Sequence, residues 1–302
     1  MEFLEQNVEK SNQPKNKRII CILTRDLNSY WVEFLINILV KKEEIYEIYM
    51  VIDKNPDLTF LEEASPEQSD ASSKNVKYLT KTILFSEDNV HVLHSGDTSA
   101  KINIVQVSDE LCIQSKYYKS SSCTNLKDIV AWDKALYFFT RYKTDYEFIW
   151  FLEDDVLFYD LNTIQNIDAK YPFSDILSSF HEINESGNIY NGWNHWCNVV
   201  NRITTPWAHS LISASRLYRR LMEKVDEYVR NNNSLMFIEA LFSTLALHNN
   251  YLVDNPEELA SSITYDKKWD IEEMTDINKI YHPLKKIESH KMYRKKMGET
   301  HI

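Results

Sequence analysis

Glycine is scarce in this chain, which has only 4 glycines among 302 residues. The loops that cradle phosphates in P-loop and dinucleotide-binding proteins need glycines in GxxxxGK[ST] or GxGxxG patterns, and neither pattern occurs here. The sequence therefore argues against P-loop kinases and most dinucleotide-dependent oxidoreductases.

Cysteine and long apolar runs are also scarce. The four cysteines include no CxxC pair and no zinc-ligand spacing, which favours a reducing compartment. No stretch reaches the length of a transmembrane helix, and the polar first 18 residues contain no signal-peptide core. We therefore expect a cytoplasmic protein without a membrane span, in the host cytoplasm if its source is viral.

Acidic residues outnumber basic ones: the chain has 45 Asp and Glu against 34 Lys and Arg, which gives a net charge of −11. Nucleic acid is a poor partner for so acidic a chain. An anionic nucleotide can still bind where a metal ion and a few local basic residues make the electrostatic potential of the site positive.

Apolar periodicity predicts an α/β fold with one main domain over residues 18–285, after a disordered leader (1–17) and before a solvated basic tail (286–302). The polar excursion from Lys54 to about Ala100 is expected at the sheet edge, with a short hairpin near Val90–Leu93. Expected strands are Ile19–Leu23, Tyr46–Ile52, Lys101–Val107, Phe148–Leu152, Asp175–Ser178, Ala208–Ser213 and Tyr251–Val253. Expected helices begin at Ser29 and at Thr124 or Asn125, and cover Arg216–Val229 and Leu235–His248.

The stretch Phe148–Asp155, FIWFLEDD, is the most informative in the chain. Five apolar residues predict a strand buried on both faces, and three carboxylates follow at once. Acids at the end of a buried strand are costly unless they face solvent, hydrogen-bond donors or a cation. Open α/β sheets bind ligands at this edge, where an acidic turn and a Mg²⁺ or Mn²⁺ site are both possible interpretations.

The order of these elements, the acidic triplet and the late segment YHPLK (281–285) resemble a GT-A glycosyltransferase. The resemblance covers roughly residues 19–285 and implies a GT-A-like, Rossmann-like mixed sheet flanked by helices. It further implies transfer of a sugar from a nucleotide-diphosphate sugar, UDP-linked in preference to GDP-linked. The acceptor would be a hydroxyl of a glycan, protein or small molecule, and Mn²⁺ or Mg²⁺ would be the metal.

The resemblance also implies roles for single residues. Glu153–Asp154–Asp155 stands where the family has its DXD motif, so Asp155 would bind the metal and Glu153 would contact the metal or the ribose. Glu153 replaces the first Asp of the motif, which leaves the role of that position open. His282 would be a further metal ligand, and Lys285 would contact the diphosphate; the alternative for a lone His is a surface or core residue.

Five residues are nucleotide-site candidates at predicted strand ends or on a predicted helix: Thr24, Arg25, Asp53, Asp109 and Lys134. Asp53 is as well explained as a turn residue before Lys54–Asn55–Pro56. For Lys134 the sequence favours a solvated helix face.

An inverting enzyme needs a general base, and Glu239 and Asp154 are the candidates. Apolar neighbours of Glu239 would raise its pKa, although an exposed acid in a first helical turn explains it equally well. If configuration is retained, no such base is required. Trp193, Trp196 and Trp207 suit sugar stacking or ordinary packing.

Two other functions fit parts of the sequence. A sugar-nucleotide nucleotidyltransferase shares the sheet and the acids, but its glycine-rich loop is missing from TRDLNSYW after the first strand. A GT-A-like binding module without catalysis is the second alternative, against which Asp155 and His282 count.

Overall fold

The computed structural model describes residues 17–40, 46–54, 78–85, 88–95, 101–121 and 129–298. Within them, a nine-stranded sheet is accompanied by a two-stranded sheet. The strands are β1 (Arg18–Thr24), β2 (Tyr46–Ile52), β3 (Tyr78–Phe85), β4 (Asp88–Ser95), β5 (Lys101–Gln106), β6 (Phe148–Glu153), β7 (Ile176–Leu177), β8 (His181–Asn184), β9 (Trp207–Ser210), β10 (Ala214–Tyr218) and β11 (Val253–Asp254). The helices are α1 (Ser29–Val40), α2 (Asp109–Gln114), α3 (Ala131–Arg141), α4 (Leu161–Lys170), α5 (Arg219–Asn232), α6 (Ile238–His248), α7 (Glu257–Ala260) and α8 (Ile287–Lys296).

The strand order across the large sheet is β11-β7-β10-β6-β1-β2-β5-β4-β3. The central strands β6, β1, β2 and β5 are parallel neighbours, whereas β10 runs antiparallel between β6 and β7. Because parallel strands end at the same edge, the last residues of these four strands meet there. The register places Glu153 beside Leu23, and Thr24 beside Ile52.

Helices cover both faces of the sheet, and β6 shows how the sequence produces this arrangement. Successive side chains of a strand point to opposite faces. Ile149 and Phe151 pack in one apolar cluster with residues of α3, α5 and α6. Trp150 and Leu152 pack in the other with residues of α1 and α4. A strand covered on both sides reads as a continuous apolar run, which explains FIWFL.

The predicted α/β class is confirmed: a mixed, mostly parallel central sheet is flanked by helices in a single domain. β2 has the predicted bounds, and the predicted edge hairpin is present as β3 and β4, which pair antiparallel beside β5. Several predictions concern segments outside the described residues: most of the leader (1–16), the parts of the excursion at 55–77, 86–87 and 96–100, the helix cap at 124–125, and the end of the tail (299–302). The expected helix from Thr124 or Asn125 is wrong where it can be compared, because Val130 is extended and α3 begins at Ala131.

The prediction around residue 216 is wrong. Residues 208–213 are expected as one strand and Arg216 as the start of a helix, but β10 contains Arg216 and α5 begins at Arg219. The guanidinium of Arg216 is fully buried and lies 2.8 Å from Asp168. A charged residue reads as exposed in sequence, and here a buried carboxylate partner permits it inside the sheet.

The predicted solvated tail is also wrong for the described part of 286–302. Residues Ile287–Lys296 form α8, in which His290, Tyr293 and Arg294 are buried. The Arg294 guanidinium donates to the Phe158 carbonyl at 2.7 Å and the Tyr30 hydroxyl at 3.0 Å, and it lies 3.5 Å from the centre of the Phe34 ring. One basic residue of the run therefore anchors the helix.

No helix in the described part of the chain has both the length and the apolar character needed to cross a lipid bilayer.

Candidate metal centre

The acidic triplet lies at the carboxyl end of β6, between β1 and β10. The Glu153 amide donates to Ser213 O at 2.9 Å, and the Val156 amide donates back to Glu153 O at 3.0 Å, which turns the chain. The side chains of the three acids therefore point in different directions from a tight turn. Glu153 and Asp155 share one site, and Asp154 faces another.

The late segment that carries His282 is held against this turn by backbone hydrogen bonds. Leu157 and Tyr281 exchange two of them, each at 2.8 Å, and the Leu284 amide donates to Asp155 O at 2.7 Å. Residues 281–284 thus run directly beside 155–157, although more than 120 positions separate them in sequence.

His282 is oriented by a carbonyl on its far side. Its Nδ1 lies 2.8 Å from Thr264 O, an acceptor only, so Nδ1 carries a proton. Its Nε2 lies 3.2 Å from Asp155 Oδ1 and 3.9 Å from Glu153 Oε2. An imidazole whose other nitrogen donates to a carbonyl is held in the orientation typical of metal-bound histidines.

Glu153, Asp155 and His282 form the one candidate metal-binding group found among the described residues, with ligand atoms all within 4.8 Å of one another. Two carboxylates and one imidazole suit a divalent ion such as Mn²⁺ or Mg²⁺, and three protein ligands leave positions for other oxygens. The residues present therefore fit the metal that the sequence analysis predicts.

Without a cation, the three side chains shift each other's pKa values. Burial alone would lower the pKa of His282, but the hydrogen bond that its ring donates to Asp155 and the charge of Glu153 raise it. Burial alone would raise the pKa of Asp155, but His282 and the exposed Lys285 lower it. Burial raises the pKa of Glu153, and the Trp132 indole N–H, 2.9 Å from Oε1, opposes that rise.

Asp154 turns toward β1 and does not join the other two acids. Its Oδ2 accepts a hydrogen bond from Thr24 Oγ1 at 2.7 Å, and the Arg25 backbone also donates to it. Burial raises the pKa of its carboxyl, and these two hydrogen bonds oppose the rise. Thr24 is buried and Arg25 is exposed.

Asp53, Asp109 and Lys134 come together at the ends of β2 and β5. Lys134 Nζ lies 2.8 Å from Asp109 Oδ1 and donates to the Asp53 carbonyl oxygen. The Lys134 side chain is only 5% exposed, so the expected solvated helix face is wrong: α3 presents this residue to the strand ends. Burial raises the pKa of the Asp53 carboxyl, to which the structure shows no hydrogen bond within the described residues.

Glu239 lies in the first turn of α6 and is buried, which contradicts the alternative of an exposed helix-start acid. Burial raises the pKa of its carboxyl to about 7, and the negative charge of Glu153 acts in the same direction. The Tyr265 hydroxyl donates to Oε2 at 2.5 Å and opposes the rise, as does the charge of His282.

The three tryptophans are packing residues. Trp196 and Trp207 are buried in the core. Trp193 stacks on His209 and on Phe237, with ring centres 4.3 and 5.5 Å away and nearly parallel planes. Its indole already stacks on two rings of the protein, which favours packing over sugar stacking.

Trp132, Thr264 and Tyr265 are polar neighbours of the site that the sequence analysis does not identify. Trp132 and Tyr265 hold carboxylates by single hydrogen bonds, and Thr264 acts through its backbone carbonyl. A backbone carbonyl leaves no signal in residue type, and nothing in the sequence marks which ring hydroxyl or indole meets which acid.

No family model matches the chain, and no curated protein matches it. Among solved structures, the apo form of mouse xyloside xylosyltransferase 1 is similar to it, with a TM-score of 0.32 and 11% sequence identity. That match covers 79% of this chain and 84% of the mouse chain. We draw nothing about the site from so distant a likeness.

Proposed function

We propose that the chain is a metal-dependent glycosyltransferase that moves a sugar from a nucleotide-diphosphate sugar, UDP-linked in preference to GDP-linked, to an acceptor hydroxyl. The observation that carries the proposal is the group Glu153, Asp155 and His282 at the carboxyl edge of a mostly parallel sheet, with His282 oriented by Thr264. An ion bound there would act as a Lewis acid on the diphosphate that leaves the sugar.

The metal ligands in this proposal are Asp155, His282 and Glu153. Thr264 and Trp132 would hold His282 and Glu153 in place, as outer hydrogen bonds do in metal sites. Lys285, whose charge already reaches Asp155, would add positive charge at the diphosphate.

The nucleoside would bind at the ends of β1, β2 and β5, the usual ligand edge of open α/β sheets. The residues assigned to it are Thr24, Arg25, Asp53, Asp109 and Lys134. The contacts of Lys134 with Asp53 and Asp109 support this assignment, because they fix the two acids next to each other. The Asp53 carboxylate would accept from the base or from a ribose hydroxyl.

Glu239 is the proposed general base and would take the proton of the acceptor hydroxyl. The acceptor oxygen then bonds to the anomeric carbon as the bond from that carbon to the diphosphate oxygen breaks. A pKa of about 7 leaves the carboxyl partly ionised at neutral pH, as a base at that pH requires. Asp154 is the weaker candidate because it turns toward β1, where Thr24 donates to it, and lies apart from the site that Glu153 and Asp155 share.

The proposal is tested by thermal unfolding with Mn²⁺ and a panel of UDP- and GDP-sugars. We expect the melting temperature to rise only when the ion and a matching nucleotide are both present, and Asp155→Ala to abolish the rise. Asp145→Ala is the matched control: Asp145 is exposed, pairs with Lys17 and Lys143, and should leave the rise intact. No rise with any nucleotide in the presence of Mn²⁺ would refute the proposal.

A further inference from the structure

Tyr265 connects the two halves of the candidate site. Its hydroxyl donates to Glu239 Oε2 at 2.5 Å, while the preceding residue, Thr264, accepts from His282 Nδ1 at 2.8 Å. The Thr264 amide also donates to His282 O at 3.2 Å. Two consecutive residues therefore orient the metal-site imidazole and the carboxyl of the proposed base.

The Tyr265 hydroxyl has a second polar neighbour. The side chain of Trp193 lies close to it and favours its ionised form, while the hydroxyl donates to Glu239. Trp193 is itself fixed by its stacking on His209 and Phe237. Tyr265 is half exposed, at 51%, so it adds little to the core, and its hydroxyl contacts Glu239.

Only one oxygen of Glu239 is held in this way. The structure shows no hydrogen bond to Oε1 within the described part of the chain, whereas Oε2 accepts from Tyr265. When one oxygen of a carboxylate is held by a hydrogen bond, the lone pairs of the other oxygen point in a defined direction. A general base needs this orientation before a proton can transfer.

We propose that Tyr265 is the positioning residue of Glu239: its hydroxyl fixes Oε2 and leaves Oε1 to accept the proton of the acceptor hydroxyl. The inference rests on the proposed function, which assigns the base role to Glu239. Thr264, the residue before Tyr265, accepts from His282 Nδ1 and so links this arrangement to the metal-site imidazole.

Removal of the Tyr265 hydroxyl has a defined electrostatic consequence. A hydrogen bond to the ionised carboxylate favours ionisation, so its loss should raise the pKa of Glu239 further. Two other groups act on this carboxyl, the negative Glu153, which raises its pKa, and His282, which lowers it. Tyr265→Phe leaves both unchanged, so any shift reports the lost hydrogen bond.

The test is an NMR titration of metal-free protein labelled with ¹³C at the glutamate carboxyl carbon, in which Glu239→Gln assigns the Glu239 signal. We expect the wild-type signal to titrate near the pKa of about 7. In Tyr265→Phe the midpoint should lie roughly one pH unit higher.

Tyr218→Phe is the matched control, because the Tyr218 hydroxyl also donates to a carboxylate, Glu147 Oε1, at 2.6 Å, outside the site. It should leave the Glu239 midpoint unchanged. Equal midpoints in wild type and Tyr265→Phe, or an equal shift in Tyr218→Phe, would overturn the inference. Thermal unfolding of each variant shows whether the fold is retained.

The titration uses no nucleotide sugar, so its outcome is independent of donor binding. If nucleotides fail to stabilise the protein but the midpoint shifts, the proposed function fails and the contact between Tyr265 and Glu239 stands. If nucleotides bind with Mn²⁺ but the midpoint does not shift, the positioning role fails and the proposed function stands.

Discussion

Glu239 combines burial with a titration near neutral pH. Its pKa is about 7 in the folded protein and 4.5 in a model compound, so the folded state keeps a proton that the unfolded chain loses. Stability contributed by this group is present in full below about pH 4.5 and is lost as the pH rises through 7. The carboxyl therefore costs the folded protein stability at neutral and alkaline pH.

We predict that Glu239→Gln is more stable than wild type at pH 8 by about 3 kcal/mol, and that the difference becomes small near pH 4.5. The amide has no charge to bury and can still accept from Tyr265. Urea unfolding across this pH range measures the effect. Glu257→Gln is the control, an exposed first-turn acid of α7, and should show no such trend. A pH-independent difference for Glu239→Gln would contradict the burial of a titrating carboxyl.

Residue patterns identified some members of the candidate site and could not identify others. Asp155 and His282 come together as expected, because one follows a buried strand and the other lies in a short segment outside any amphipathic pattern. The sequence predicts a solvated Lys134 because spacing alone cannot distinguish an exposed helix face from one that meets strand ends. Thr264 acts through a carbonyl that every residue type possesses.

Among the elements, α8 has the most direct effect on the geometry of the site. His290 Nε2 lies 2.7 Å from Leu284 O, and the Leu284 amide donates to Asp155 O. Arg294 attaches the same helix to Phe158 and Tyr159, just beyond the acidic triplet. The helix therefore holds the segment that carries His282 against the end of β6.

We predict that Arg294→Ala lowers the free energy of unfolding by roughly 2 to 4 kcal/mol, because it leaves the Phe158 and Tyr159 carbonyls and the Tyr30 hydroxyl without this donor. Mn²⁺ should also bind more weakly, since the His282 segment loses its support. Denaturant unfolding and Mn²⁺ titration measure the two effects. Lys291→Ala, an exposed change in the same helix, should affect neither; equal behaviour of the two variants would contradict this role of α8.

The bounds of a strand or helix follow from the sequence where its run of apolar residues is continuous, and they do not where polar residues interrupt that run. β2 was located to the residue because YEIYMVI is apolar at nearly every position and ends at polar residues. β10 was missed because Ser215 and Arg216 interrupt its apolar residues, and both are buried. α8 was missed because its anchor is an arginine, a residue type that sequence patterns assign to solvent.

Across the whole molecule, acidic side chains concentrate where an anionic donor is proposed to bind. The chain carries a net charge of −11, and Asp53, Asp109 and the Glu153–Asp155 triplet lie at the carboxyl edge of one sheet. Lys134 is engaged by Asp53 and Asp109, and the basic Arg25 and Lys285 at this edge are both exposed to solvent. A diphosphate at this edge therefore needs a divalent ion to offset the repulsion.

The proposed function requires Glu153, Asp155 and His282 to hold such an ion. The most direct measurement is anomalous diffraction at the manganese absorption edge from crystals grown with Mn²⁺ and UDP. We predict one strong peak within coordination distance of Asp155 and His282 Nε2, next to the diphosphate, and no peak there in Asp155→Ala crystals. A nucleotide bound without a peak at these residues, or manganese bound elsewhere, would contradict the claim.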